Sequence, residues 1–167
     1  MSPCSDTCGC GLRSTVVARS SSVFATSKVV YAIDGKIGND PDSIFQSAEE
    51  MFPWLEIRLP TARTITHITV VNRKDCCGEM FKNVELRVGN DTIPYGSKNE
   101  KLKVNTACGH FQGPGITGGE HFISCNSHTP SKYVTLQILE DGPFQSLYVN
   151  EVYFNAGKRF NSCMIFV

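Results

Sequence analysis

The chain has 167 residues, 41% of them hydrophobic, which is a usual size for one domain with one core. Sixteen basic residues balance sixteen acidic ones, so no net charge attracts nucleic acid or an anionic membrane. No apolar run approaches the ~18 residues of a membrane span, and the opening MSPCSDTCGCG lacks the basic and apolar regions of a signal peptide. We predict no nucleic-acid binding and no membrane insertion, and we expect any signal peptide to have been removed already.

Four segments, taken in chain order, have the pattern of β-strands. LEIRL (55–59) and ITHITVV (65–71) are apolar enough for strands with a buried face, and VELRV (84–88) alternates cleanly. YVTLQIL (133–139) places Val134, Leu136 and Ile138 on one face. Turn-rich segments such as DGKIGNDPDS, GNDTIPYGS and GPGITGG separate these runs, and helix signals are slight. The pattern predicts an all-β fold, an antiparallel β-sandwich or jelly roll.

Eight cysteines are many for a cytosolic chain of this length, and the even count favours disulfides in an oxidising, extracellular compartment. The alternative is zinc, because Cys and His ligands crowd one stretch: Cys108, His110, His121, Cys125 and His128. We favour disulfides, since the Gly-rich sequence between Cys108 and Cys125 suits a covalently closed loop and no C-x-x-C spacing is present.

No catalytic motif is present: the sequence has no G-x-S-x-G elbow, no Walker loop and no H-E-x-x-H helix. Two carboxyls suffice for a glycosidase, and the candidates are Glu49, Glu50, Asp75 and Glu79. Most surface acids of this kind are simply solvated. We predict that the chain is not an enzyme.

RKDCCGEMF (73–81) contains the adjacent pair Cys76 and Cys77. Neighbouring Cα atoms lie about 3.8 Å apart across a trans peptide, shorter than the span of a usual disulfide. Either these are two separate thiols, or the chain accepts strain to present a flat sulfur surface. Strain of that kind gathers at functional sites.

Six strings together resemble the F-type lectins, the fucose-binding lectins of eel serum and their relatives, over about residues 16–154. The resemblance implies a discoidin-like jelly roll, in agreement with the strand pattern. The most specific string is Asn-Arg-x-Asp-Cys-Cys-Gly-Glu after an Ile/Val/Thr-rich strand. The strings are AIDG (32–35), PWLEIRL (53–59), ITHITVVNRKDCCGE (65–79), VELRVGN (84–90), YVTL (133–136) and NEVYF (150–154).

The resemblance implies a sugar site around the adjacent cysteines. Cys76 and Cys77 match a vicinal disulfide that packs against the sugar ring, Arg73 would donate to ring hydroxyls, and Asp75 would orient either Arg73 or the loop. The family's His is Gln46 here and its second Arg or Lys is Met80. Losing a charge-assisted hydrogen bond costs roughly 1.5–3 kcal/mol. The loop before Gln46, GKIGNDPDSIF, is also shorter than usual, so fucose as the ligand does not follow.

A structural calcium ion is the second implication of the resemblance. Asp34 and Glu151 match the family's carboxylate ligands, while Tyr31, Lys36, Ser43 and Asn150 would contribute mainly backbone oxygens. Taken alone, Asp34 and Glu151 would suggest only an Asx-turn and a half-buried acid.

The remaining cysteines follow in part from the resemblance. Cys108 and Cys125 match a loop disulfide, and a further family bridge is absent because its two positions are Ile44 and Asn150. Cys4, Cys8, Cys10 and Cys163 lie outside the shared core. We predict that one of the first three bonds Cys163 and the other two pair together, with all three connectivities open. The predicted organisation is a Cys-rich segment (1–15), a lectin domain (16–155) and a linked tail (156–167).

Two function classes remain open after these arguments. The first is a secreted, calcium-containing lectin that binds cell-surface or microbial glycans, with fucosylated glycans among the candidates and with homo-oligomerisation as a source of avidity. The second is a discoidin-like adhesion or protein-interaction module that has lost sugar binding. Gln46 and Met80 are the residues that separate the two.

Overall fold

The computed structural model describes residues 16–142 and 144–154. These residues form ten strands and three short 3-10 helices, and the 3-10 helices span Val29–Ala32, Pro41–Ser43 and Gly78–Met80. The proposed terminal segments, with Cys4, Cys8, Cys10 and Cys163, lie outside the described residues. Within the described ranges there is no α-helix, and no helix is long and apolar enough to cross a membrane.

Every strand pairing is antiparallel, as the all-β prediction requires. One sheet has five strands in the order β1-β3-β8-β5-β6, a second has the order β10-β4-β7, and β2 pairs with β9. The strands are β1 (Val17–Ser20), β2 (Phe45–Gln46), β3 (Trp54–Arg63), β4 (His67–Val71), β5 (Val84–Gly89), β6 (Thr106–Phe111), β7 (Glu120–Ser124), β8 (Ser131–Ile138), β9 (Tyr148–Val149) and β10 (Glu151–Phe154).

The core lies between the inner faces of the two larger sheets. Val134, Leu136 and Ile138 of β8 are all buried in it, as their alternation predicts. Ile68 and Val70 of β4 belong to the same cluster. Packing these faces together fixes the register of the sheets, and it therefore fixes where the loop after β4 emerges.

Part of the outer face of the five-stranded sheet is also covered, around Glu56 and Gln137, which alternation alone did not predict. Glu56 and Gln137 are polar residues on this face, yet they are 2% and 0% exposed. The segment after β5 lies over them: the backbone N–H of Ile93 donates to Glu56 and that of Leu102 donates to Gln137. Trp54, Ile93 and Leu102 form a second small apolar cluster there.

Candidate functional site

The loop that follows β4 carries most of the predicted site and rests on a neighbouring turn, residues 115–119. Gly78 and Gly115 permit this close contact. A Cβ atom on Gly78 would lie 2.1 Å from the backbone nitrogen of Thr117, and one on Gly115 would lie 2.7 Å from the carbonyl oxygen of Gly78. The backbone N–H of Gly118 also donates to the carbonyl of Arg73 at 2.6 Å. The loop is therefore held from behind by backbone contacts.

Cys76 and Cys77 are joined to each other by a disulfide, with their Cα atoms 3.8 Å apart. Cys77 adopts the left-handed conformation, with φ of 57°. Cys76 is exposed and Cys77 is half-buried, so the disulfide lies at the surface of the protein. The sequence left two alternatives for the adjacent cysteines, two separate thiols or a disulfide, and the structure has the disulfide.

Arg73 is only 6% exposed, and its guanidinium is held on two sides. Nε and Nη2 donate to the two carboxylate oxygens of Asp75 at 2.9 and 2.6 Å. The guanidinium carbon lies 4.2 Å from the ring centroid of Tyr148, a cation–π contact. The hydrogen bond with Asp75 raises the pKa of Arg73 and lowers that of Asp75. Asp75 thus holds the Arg73 side chain, one of the two alternatives for Asp75, and it engages two of the five guanidinium N–H groups.

Gln46 joins this group through Tyr148, because β2 and β9 place the two residues directly opposite each other. The Gln46 Nε2 group donates to the Tyr148 hydroxyl at 3.4 Å. The backbone N–H of Phe24 donates to the carbonyl of Gln46 at 2.9 Å, and Phe24 is 50% exposed. An exposed aromatic residue is therefore held next to the backbone of Gln46, whereas the aromatic residue of the short loop before Gln46, Phe45, is buried.

Tyr148 is the functional candidate that the sequence analysis missed. It lies in a two-residue strand that is too short for periodicity to reveal. Its register opposite Gln46 is a tertiary feature, and the spacing of the Arg-x-Asp string gives no sign of it.

Met80 ends the 3-10 turn that begins directly after Cys77, and its backbone N–H donates to the Cys77 carbonyl at 3.1 Å. Met80 is half-buried. Lys82, the nearby cation, pairs with Glu140 at 3.6 Å, so its ammonium group already has a partner away from the loop.

His121 is buried behind the same loop and does not serve as a zinc ligand with the cysteines. Its Nε2 accepts from the Ile116 backbone N–H at 3.2 Å and lies 3.4 Å from the Asn72 amide. Its ring stacks on Phe81 and is in contact with Phe111. Burial lowers the pKa of His121. The neutral imidazole is thus a structural acceptor that fixes the turn at Ile116.

Cys108 and Cys125 form the predicted loop disulfide, which removes the two thiols on which the zinc reading depended. Of the acids considered for catalysis, Glu50 differs from expectation. It is 7% exposed and accepts from the hydroxyls of Ser21 and Ser22, so it is a buried structural acid and not a solvated one.

The predicted metal loop lies against the start of β10. Glu151 is 3% exposed, and its two oxygens accept from the backbone N–H groups of Gly35 and Val152 at 2.7 and 3.1 Å. Burial, with the nearby charge of Asp34, raises the pKa of Glu151 to about 8. None of the ion pairs formed by the described residues includes Glu151. A buried carboxylate beside a second carboxylate, without a basic partner, fits a bound cation.

Asn150 ties the same loop to the strand with its side-chain amide, which donates to and accepts from the backbone of Gly38 at 2.8 Å each. Ser43 lies beside Gly38, since a Cβ atom on Gly38 would lie 2.5 Å from the Ser43 carbonyl oxygen. Asp34 accepts from the backbone N–H of Lys36 at 2.9 Å, an Asx-turn. Tyr31 lies at the start of the loop, in the first 3-10 helix.

Among the described residues, no three His, Cys, Asp or Glu side chains are grouped to hold a metal. A cation at this loop would therefore have to draw most of its ligands from carbonyl oxygens.

Comparisons with known proteins agree with this geometry. A family model for F5/F8 type C domains, described as a NedA-like, galactose-binding domain, matches residues 31–136. The chain is 29% identical to a fucolectin of Anguilla anguilla over 136 residues, which are 80% of each chain. It is 30% identical to fucolectin-1 of Anguilla japonica over 110 residues, which are 65% of this chain and 58% of that protein.

A serum fucolectin of the striped bass, Morone saxatilis, superposes with a TM-score of 0.70 at 27% identity. The superposition covers 83% of this chain and 46% of the bass protein, so this chain spans about half of that relative. The lectin domain of lectinolysin, solved with Lewis B antigen, has a TM-score of 0.64 at 17% identity over 84% of this chain and 92% of that domain, which supports the fold alone. These relatives are lectins, in agreement with the prediction of a non-enzymatic chain. The chain therefore belongs to the F5/F8 type C family of NedA-like, galactose-binding domains, and it is similar in sequence and fold to the fucolectins, the F-type lectins that its Arg-x-Asp-Cys-Cys string resembles.

Proposed function

We propose that this chain is a secreted carbohydrate-binding lectin with a structural calcium ion and an altered fucose pocket, which recognises glycans of cell surfaces or microbes. Its relatives support the class, since they include fucolectins of two eel species. One observation carries the proposal for this chain: Arg73 is fixed by Asp75 and Tyr148 in the same short loop as the disulfide of Cys76 and Cys77.

The two parts of this surface suit the two faces of a sugar ring. The guanidinium keeps N–H groups beyond those bound to Asp75, and these can donate to hydroxyl oxygens. The disulfide of Cys76 and Cys77 offers a flat apolar surface for the C–H face of a pyranose. Fixing Arg73 beforehand reduces the entropy lost on binding, because fewer rotamers have to be frozen.

The altered positions define how this pocket departs from a fucose site. Gln46 is engaged with the Tyr148 hydroxyl, and Met80 contributes a thioether with only weak acceptor capacity. Arg73 is therefore the only cationic side chain among the matched sugar-site positions. We expect the wild-type chain to bind free L-fucose weakly or not at all, and to prefer a glycan that also contacts apolar surface around Gln46.

Calcium belongs to the proposal as a structural ion and not as a sugar ligand. Glu151 and Asp34 would supply carboxylate oxygens, with backbone oxygens of Tyr31, Lys36, Ser43 and Asn150 completing the six to eight oxygen ligands that calcium prefers. The support for this assignment is that the Glu151 carboxylate is buried and has no ion-pair partner among the described residues.

The test is a broad glycan array in calcium, followed by isothermal titration with the best glycan and with L-fucose. Restoring the family's donors by Gln46→His with Met80→Arg should give measurable fucose binding, while the matched double variant Gln46→Asn with Met80→Leu should not. Absence of binding to every arrayed glycan would contradict the lectin proposal. That outcome would favour an adhesion module, for which Met80 and Gln46 are the supporting observations.

Oligomerisation is part of the proposal only as a source of avidity, because a single shallow site binds weakly. Sedimentation of the purified chain, with and without calcium, measures it. A monomer that still binds immobilised glycan tightly would contradict this part.

A further inference from the structure

The chain contains one Asn-x-Ser/Thr triplet, Asn90-Asp91-Thr92, and its middle residue is not proline. This is the acceptor pattern for N-linked glycosylation in the secretory pathway. None of the chain's other asparagines is followed two positions later by Ser or Thr. Because a three-residue pattern is weak evidence by itself, the position of Asn90 in the fold decides whether glycosylation is plausible there.

Asn90 directly follows the last residue of β5 and is exposed. Its amide Nδ2 donates to the Pro130 carbonyl at 3.0 Å, and its Oδ1 accepts from the Lys132 backbone N–H at 3.1 Å. The first bond uses the amide nitrogen of the side chain and the second uses its oxygen. An amide nitrogen has two hydrogens, so Nδ2 can carry one covalent substituent and keep one donor for Pro130. The side chain can therefore be modified without losing its contacts to this segment.

A cavity of about 450 Å³ lies at the ends of β5, β6 and β8, and it is lined by the chain neighbours of Asn90 although Asn90 itself is not in its lining. Gly89, Thr129 and Ser131 line it, and they are the chain neighbours of Asn90 and of its partner Pro130. Thr106, Asn126 and Ser127 line it as well, together with His128, and its lining includes no Lys, Arg, Asp or Glu. A depression rich in hydroxyls and amides, with an imidazole and with Val88 and Ala107 as apolar surface, suits an uncharged sugar.

We propose that Asn90 carries an N-linked oligosaccharide whose first sugar residue lies over this cavity. The inference depends on the secretion that the proposed function includes. In the transfer, Nδ2 attacks the anomeric carbon of a lipid pyrophosphate-linked oligosaccharide. The new N–C bond forms as the C–O bond to pyrophosphate breaks, the lipid pyrophosphate leaves with the bonding electrons, and the amide loses one proton. No oxidant or reductant is required.

The modified residue and the proposed sugar-binding loop lie at opposite ends of one strand. The loop at 73–80 ends shortly before β5 begins at Val84, and Asn90 comes directly after β5 ends at Gly89. Six residues of extended strand cover about 20 Å at roughly 3.4 Å each. The attached glycan therefore starts at the opposite end of β5 from the proposed sugar-binding surface around Arg73, Cys76 and Cys77 (the Arg73 surface), and it leaves that surface open.

The first experiment is intact mass analysis of the full chain, secreted by animal cells behind a cleavable signal. We expect the mass of one oligosaccharide, lost on treatment with peptide N-glycosidase and mapped to Asn90 by the conversion of its amide to an acid. Thr92→Ala should abolish the modification, while the matched Thr92→Ser keeps both the acceptor pattern and a hydroxyl for Glu56. Secreted chains with Asn90 unmodified would overturn the proposal.

The second experiment tests the cavity. An endoglycosidase that leaves one N-acetylglucosamine on Asn90 allows comparison with the fully deglycosylated chain by amide NMR. Shift changes at Thr106, Ala107 and Thr129 are expected, whereas changes confined to residues 89–91 would overturn the placement. Glycan-array binding by the deglycosylated chain reports on the lectin proposal separately, so failure of one proposal is distinguishable from failure of the other.

Discussion

Two regions of the molecule each contain a buried charge: the surface around Arg73, and the loop of residues 31–43 that lies against Glu151. They differ in whether the protein itself compensates that charge. Arg73 is neutralised within the protein by Asp75 and rests on Tyr148, so its charge is compensated before any ligand arrives. Glu151 has only backbone N–H partners, and the nearby charge of Asp34 adds to the cost of ionising it. A compensated charge can remain rigid and present its remaining donors to a passing ligand. An uncompensated one needs a cation for the fold to be stable in its ionised form.

The largest predicted effect concerns Glu151, whose charge is uncompensated, and it is an effect of calcium on the stability of the fold. Calcium at about 100 times its Kd should stabilise the native chain by about 2.7 kcal/mol through mass action. Glu151→Gln should abolish that response, because it removes a ligand and a charge while leaving an amide of similar size. Thermal denaturation with calcium and with chelator measures both. Asp42→Asn, an exposed change on the same loop, is the control, and an equal calcium response in wild type and Glu151→Gln would contradict the metal assignment.

pH offers a second way to examine the same contrast. In chelator, the raised pKa of Glu151 means that the folded chain binds a proton more tightly than the unfolded chain. Its contribution is therefore greatest below the ordinary carboxyl pKa and is lost as the pH rises towards 8. Calcium should reverse this trend, since it favours the ionised carboxylate. A calcium-induced rise in Tm that is the same at pH 5.5 and at pH 8 would count against the assignment.

At the compensated site, Arg73→Lys should weaken binding of the best array glycan by roughly tenfold or more, since charge-assisted hydrogen bonds contribute about 1.5–3 kcal/mol each. Lysine keeps the charge but cannot form the forked pair with Asp75. Titration calorimetry measures the loss, and Arg58→Lys, a change at an exposed residue of β3, serves as the control. Unchanged affinity would show that the glycan binds elsewhere.

Two substitutions at Tyr148 should distinguish a role in positioning Arg73 from direct contact with the glycan. Tyr148→Phe keeps the ring under Arg73 and removes only the hydroxyl, which accepts a long bond from Gln46 and also interacts with Arg73, so affinity should fall less than about threefold. Tyr148→Leu removes the cation–π contact, estimated at about 0.5–2 kcal/mol, and should reduce affinity further. Equal losses in the two variants would mean that the hydroxyl touches the glycan.

The smallest effect concerns the support behind the loop. Burial lowers the pKa of His121, so the unfolded chain binds the proton more readily and stability falls as the pH drops below about 6.5. His121→Gln keeps an acceptor for the Ile116 N–H and should flatten this part of the pH profile. The measurement is the difference in Tm between wild type and variant at pH 7.5 and 5. Parallel profiles would contradict the role given to the neutral imidazole.

The sequence predicted the strands and the sugar loop for different reasons. Val84–Gly89 and Ser131–Ile138 appear as strands because alternation records a face buried against the core. The disulfide of Cys76 and Cys77 followed from a family resemblance, since local geometry argued against it. Burial of Glu56 and Gln137 was not predictable, because the segment that covers them is an irregular loop more than thirty residues from each along the chain. Tyr148 escaped notice for a similar reason: its register with Gln46 depends on tertiary contacts.

The short segment 148–151 contributes to both regions compared above. Tyr148 contacts Arg73, while Asn150 and Glu151 bind the backbone of the loop for which a metal is proposed, and only Val149 separates the two roles. A cation that fixes Glu151 also restricts the backbone that positions Tyr148. Any resulting coupling must be reciprocal: the factor by which calcium tightens glycan binding is the factor by which glycan tightens calcium binding. A chain in low calcium would then hold glycans less firmly without any change at the sugar surface itself.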